Sequence, residues 1–227
     1  MKIKYLKWYD ILIITLILFG SAIYNSTVTY FTTDAAILAQ GTEFTTADDI
    51  YAIITQSIEL LICGIYLFFR KFDFSQWKFK ITLNTTALAI GLFFIFGACM
   101  DAINIMTTGF YWVPEYLKYN TPILSALSDV NLPLVIFSLL NGFYEEIFFL
   151  GICINVEPKY KNIAFIYSLI IRFSFHTYQG LIPALGIGFI LGIIYYYFYT
   201  KKTDNLYPYI LSHAFADVFG LSLLHFL

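Results

Sequence analysis

Seven apolar runs divide the chain, at about 9–27, 51–69, 84–106, 134–155, 162–178, 182–199 and 206–226. Most approach the ~20 residues that a helix needs to cross a ~30 Å hydrocarbon core. The pattern predicts an all-α fold, a polytopic integral membrane bundle of about seven transmembrane helices. A broken segment, "TPILSALSDVNLP" (121–133), is too brief to span and is expected to lie at the interface or re-enter. Counted as a span it would make eight and reverse the later helices. The first run follows Lys2, Lys4 and Lys7, as in a signal peptide. It is long enough to span and shows no small-residue cleavage site, so it is expected to be a retained helix.

The polar connections alternate in charge. Basic residues mark the N-terminus, the second connection (Arg70, Lys71, Lys78, Lys80), the fourth (Lys159, Lys161) and the sixth (Lys201, Lys202). The first connection, 28–50, holds Asp34, Glu43, Asp48 and Asp49 and no base. By the positive-inside rule the N-terminus is cytoplasmic and the C-terminus outside.

Composition agrees with this reading. The chain is 59% hydrophobic and 12% charged, with mean hydropathy +0.74, against about a quarter charged in soluble domains. A net charge of −2 offers no basic surface for nucleic acid. Cys63, Cys99 and Cys153 lie inside apolar runs without metal-ligand spacing and are expected to be small core residues. Gly188 and Gly192 form a GxxxG step expected to pack helices closely.

Ionisable groups at membrane depth are costly and therefore informative. Glu145 and Glu146 stand together in "LVIFSLLNGFYEEIFFLGICIN" (134–155). Helix geometry sets them about 100° apart around the axis, so one is expected to meet a neighbouring helix or cation while the other faces a cavity. Two such carboxylates resist joint ionisation, which suits a group that takes up a proton. In "IRFSFHTYQG" (171–180), Arg172 and His176 share a face, four residues apart; in "LSHAFADV" (211–218), so do His213 and Asp217. Glu59 and Asp101 are solitary and read as structural. At ~1.5 Å per residue from the nearest basic connection, Glu145, His176, His213 and Asp217 all lie roughly 16–22 Å deep. Three helices thus bring their polar groups to one layer.

That set supports three chemistries. Glu145 and His176 can jointly take a proton from a water that attacks a peptide carbonyl, with His213 and the Asp217 region stabilising the oxyanion. The same residues can hold a zinc ion that activates the water. An acid–histidine relay can serve transport without bond breaking, although no paired broken-helix repeat appears.

In order and spacing, "EEIFFL" from Glu145, "RFSFH" ending at His176 and "HAFAD" from His213 to Asp217 resemble the CPBP family. These are the CAAX protease and bacteriocin-processing intramembrane glutamic endopeptidases, related to type II CAAX prenyl endopeptidases and bacteriocin-immunity proteins. Their motifs are EExxxR, FxxxH and HxxxN or HxxxD. The resemblance implies a catalytic core over 121–227, preceded by transmembrane helices in 1–120 that carry no motif, within a single membrane domain. It implies Glu145 as catalytic base aided by His176, His213 and Asp217 as oxyanion site, Glu146 in support, and no cofactor. It implies a membrane protein or peptide substrate and location in a bacterial cell membrane. The other function on this scaffold is non-catalytic immunity or regulatory binding. Two positions depart from the pattern: Leu150 stands where the arginine is expected, and Arg172 where the phenylalanine is. Arg172 is the one base within the spans of this half, and is expected to supply the missing charge from the next helix.

Overall fold

A computed structural model describes residues 2–34, 38, 44–108 and 130–224. Among these residues seven helices form and no strand. They are α1 (Trp8–Thr32), α2 (Thr46–Phe69), α3 (Leu83–Thr108), α4 (Leu132–Cys153), α5 (Lys161–Ser174), α6 (Leu181–Lys201) and α7 (Tyr207–Phe219). The chain is an all-α helical bundle of an integral membrane protein. Five helices, α1–α4 and α6, are long and apolar enough to cross a membrane. The segment 121–133, on which the count of seven or eight spans turns, lies largely outside the described residues.

Local chemistry sets the ends. Thr45 and Asp48 cap α2 reciprocally: the Asp48 N–H donates to Thr45 Oγ1 at 3.3 Å, and the Thr45 N–H to Asp48 Oδ2 at 2.8 Å. Asn131 caps α4 by accepting the Leu134 N–H at 2.9 Å, with Pro133 in the first turn, where no N–H is needed. The 14 residues of α5 and 13 of α7 rise only ~20 Å each, short of the expected spans. The reasons are local. The His176 ring Nδ1 takes up the Arg172 carbonyl at 2.7 Å, and the His176 backbone N–H turns to Phe173 O at 3.1 Å. That tightens the chain into a turn, 177–179, ended by Gly180 at φ 93°. Helix α7 stops at Gly220, φ 83°. The chain then folds back so that Ser222 Oγ donates to Asp101 Oδ1 (2.5 Å) and Leu223 N–H to Asp101 Oδ2 (2.9 Å). Asp101 therefore has a structural task, as its solitary position suggests.

Helix α7 packs between α3 and α4, and α4 also packs on α2. At the α4–α7 contact a Cβ on Gly142 would sit 2.6 Å from Ile210 O, so glycine permits the approach. The GxxxG step behaves as expected: a Cβ on Gly188 would meet the Phe173 backbone at 2.7 Å, and one on Gly192 would meet Leu169 at 2.5 Å. Cys63 and Cys153 are buried core residues; Cys99 is half-buried.

One end of the bundle gathers the basic connections. The Ile3 N–H donates to Lys71 O, Leu6 N–H to Asn155 O, and the Lys80 N–H to Asn205 Oδ1, each at 2.9 Å. Lys78 pairs with Asp204 across the same face. The N-terminus and the second, fourth and sixth connections thus share a side, as their charge pattern requires.

Candidate functional site

The site is built where α4, α5 and α7 meet. Ser138, Gly142, Tyr144, Glu145 and Glu146 are all buried on α4, which then widens into a π-helical run over Ile147–Cys153. Such runs relax the backbone ladder and are frequent at functional positions. Here the Trp77 Nε1–H donates to Gly151 O at 2.8 Å. A Cβ on Gly151 would lie 2.9 Å from that same nitrogen, so the glycine keeps the indole seated.

Adjacent on the helix, the two glutamates receive different surroundings. Glu146 is fully enclosed. Its oxygens accept from Arg172 Nη1 and Nη2, each at 2.9 Å, and Oε1 also accepts from His213 Nδ1 at 2.7 Å. This is a bidentate, charge-assisted arrangement. Arg172 is 1% exposed and lays its guanidinium 4.0 Å over the Phe149 ring. The cation beside the acids comes from α5 and not from position 150. Leu150 itself packs in an apolar cluster with Leu92, Phe96, Met100 and Leu191.

Among the described residues Glu145 has only long contacts. Arg172 Nη1 lies 3.4 Å from Oε2, Asn141 Nδ2 3.5 Å from Oε1, and His213 Nε2 3.7 Å from Oε1. It is the acid of the pair whose hydrogen-bonding capacity is unspent. His213 is fixed by Glu146 so that Nε2 points between Glu145 and Asp217, 3.7 Å from an oxygen of each. Side-chain exposure rises across the cluster, from 0% at Glu146 through 5% at Glu145 and 6% at His213 to 21% at Asp217. The site is sealed behind Glu146 and less enclosed toward Asp217.

The structure brings Glu145, Glu146, Arg172, His213 and Asp217 together. His176 is buried one turn beyond Arg172; no hydrogen bond joins it to Glu145 among the described residues. Its Nδ1 donates to the Arg172 carbonyl, which leaves Nε2 of the neutral ring as an acceptor. The segment that carries it is tied to α1, where Ser26 Oγ accepts the Tyr178 N–H at 2.9 Å.

Two amides join the cluster without having been expected there. Asn141, one turn before Glu145, donates Nδ2 to Asp217 Oδ2 at 2.9 Å, and its Oδ1 accepts from Gln56 Nε2 at 2.7 Å. The signal lay in the sequence as an uncharged polar residue four before Glu145. Gln56 brings α2, from the motif-free part of the chain, to the edge of the site. Glu59 is likewise not solitary, since the Tyr144 hydroxyl donates to it at 2.6 Å.

Glu145, Glu146 and His213 each offer a ligand atom, all within 4.8 Å of one another. Their chemistry fits a divalent ion poorly. Both Glu146 oxygens already hold a guanidinium, and a second, divalent charge beside it would meet repulsion in a poorly solvated place.

Residues 127–219, which include α4–α7, match the family model described as type II CAAX prenyl endopeptidase Rce1-like. The match supports the CPBP family suspected from the three motifs. At the level of that family it supports a CAAX-type intramembrane protease acting on a membrane-associated peptide or protein. No curated protein and no solved structure matches the chain.

Proposed function

We propose that the protein is an intramembrane endopeptidase that hydrolyses a peptide bond by water activated at Glu145. The observation that carries this reading is the contrast between the saturated Glu146 and the unspent Glu145 beside it. Glu145 takes a proton from the water, whose oxygen bonds to the carbonyl carbon. The carbonyl electron pair moves onto oxygen. As the tetrahedral species collapses, the C–N bond breaks and the proton held by Glu145 passes to the leaving nitrogen, giving a carboxyl and an amine. His176, with Nε2 as acceptor, shares the water's other hydrogen. His213, held as the imidazolium among Glu146, Glu145 and Asp217, gives its Nδ1–H to Glu146 and turns its Nε2–H to the developing charge, and Arg172 offsets the two acids. An enclosed site makes each of these electrostatic interactions count for more than in water.

The basic face lies at the cytoplasm in this reading, with the N-terminus inside, in the cell membrane of a bacterium. The motif-free helices within 1–120 complete the bundle, and 121–227 form the catalytic core.

The test uses purified protein in detergent micelles with three probes: a farnesylated CAAX peptide, the same peptide without its prenyl group, and fluorescently labelled casein. Wild type cleaves at least one of them, and both Glu145→Ala and His176→Ala abolish cleavage at unchanged protein levels. No cleavage of any probe removes the endopeptidase and leaves an immunity or regulatory binding protein, while full cleavage by both variants removes Glu145 and His176 from the catalytic step. Chelator treatment with elemental analysis leaves activity intact in this account; stoichiometric zinc required for turnover overturns the metal-free mechanism.

A further inference from the structure

The family's third motif ends in asparagine or aspartate, and this chain has the acid. With Asn141 donating to one oxygen and His213 Nε2 facing the other, Asp217 is placed as an acceptor, and in its ionised form it has no hydrogen to give a developing oxyanion. Oδ2 accepts from Asn141 at 2.9 Å, and Oδ1 faces His213 Nε2 at 3.7 Å. The amide it holds has what the acid lacks. Asn141 Nδ2 carries two hydrogens, one committed to Asp217. The same nitrogen is 3.5 Å from both Glu145 Oε1 and His213 Nε2, too long for strong bonds and placed between the proposed base and the proposed histidine donor. The orientation of the amide is set from outside. Gln56 Nε2 donates to Asn141 Oδ1 at 2.7 Å; rotating the amide would aim its oxygen at two carboxylates and its nitrogen at another donor.

We infer that Asn141 supplies the second N–H donor to the oxyanion, in place of Asp217, and that Gln56 is the residue that positions it. This rests on the endopeptidase reading above. Asp217 then anchors Asn141 and faces His213. The donor sits at the less enclosed side of the cluster, where a substrate carbonyl enters. Glu145 lies one helical turn away on the same face of α4, so base and donor flank one reacting carbon.

The experiment measures kcat and KM on whichever of the three probes wild type cleaves, with folded protein quantified by gel filtration. Asn141→Ala lowers kcat by about 100-fold or more, as loss of one oxyanion donor does, with KM within about twofold. Adding Asp217→Asn to Asn141→Ala returns an amide donor to the site and recovers kcat by roughly tenfold or more; a packing role for Asn141 would not be rescued this way. Gln56→Ala lowers kcat by about tenfold with little change in KM, and Gln56→Glu, which has no hydrogen to give Asn141 when ionised, does no better. Should Asn141→Ala fail to survive purification, the isosteric Asn141→Asp removes the same hydrogens and carries the same expectation. A kcat within about threefold of wild type, or a loss that Asp217→Asn leaves unrecovered, overturns the inference. Glu145→Gln measured in parallel separates the two failures. If it is inactive while Asn141→Ala is normal, only the donor assignment falls; if it is fully active, the Glu145-activated water on which the inference rests falls with it.

Discussion

Two arginine–carboxylate clusters join helices of this bundle, one at its basic end and one enclosed in α4, and their acids differ in number. Near the basic face, Arg70 donates to both oxygens of Asp10, at 2.6 and 3.0 Å, while the Tyr66 hydroxyl and the Lys7 N–H fill the rest. One acid meets one base, and no capacity is left over. In the middle of α4, Arg172 does the same for Glu146, with His213 in the role of Tyr66. There a second acid, Glu145, stands alongside with contacts of 3.4 Å or more. A clamp between helices needs only the first arrangement. The surplus carboxylate is what distinguishes the central cluster, and it is the group assigned the chemistry.

The largest effect on activity is expected at that surplus acid. Glu145→Gln should reduce turnover by about 10³-fold, within the range for a lost general base, while Asp10→Asn leaves turnover within about threefold of wild type. Steady-state cleavage by the two variants checks the pair.

Stability should order the clusters the same way. Arg172→Leu leaves Glu146 buried without its cation, a change worth about 3–5 kcal/mol of folded stability. Arg70 is partly exposed, at 33% of its side chain, so water replaces it in part, and Arg70→Leu should cost about 1–3 kcal/mol. Thermal unfolding in the same detergent ranks them; equal losses would mean that the central pair is no more enclosed than the peripheral one.

Much of this contrast was legible in the sequence. The apolar runs locate all seven helices of the described residues, and the ordered motifs locate the acids and histidines. Arg172 was legible through the family resemblance, which expects a positive charge where Leu150 stands, with Arg172 as the base at hand on the next helix. The amides were not. Asn141 and Gln56 carry no charge, so nothing in an apolar helix marks them as more than tolerated polar residues until α2, α4 and α7 are brought together. The shortness of α5 and α7 was also hidden. Their ends depend on a side chain taking a backbone carbonyl and on Gly220 at positive φ, whereas hydropathy runs straight through both.

Smaller effects sharpen the frame around the glutamates. Gly151→Ala places a methyl against Trp77 Nε1 and should cost about 1–3 kcal/mol by overpacking, with activity falling as the π-helical run shifts. Trp77→Phe removes the hydrogen bond to Gly151 O together with part of the indole's packing against Phe72 and Phe74, and should cost about 1–3 kcal/mol. Chemical denaturation of the two variants, with cleavage assayed on the folded fraction, checks both losses.

The most direct measurement is the cleavage rate of purified Glu145→Gln, with its unfolding temperature taken on the same sample. A side chain of the same shape at a loosely held position should leave the unfolding temperature close to that of wild type while cleavage falls by about three orders of magnitude. Retention of more than about a tenth of the wild-type rate by a fully folded Glu145→Gln would contradict the assignment of Glu145 as the base.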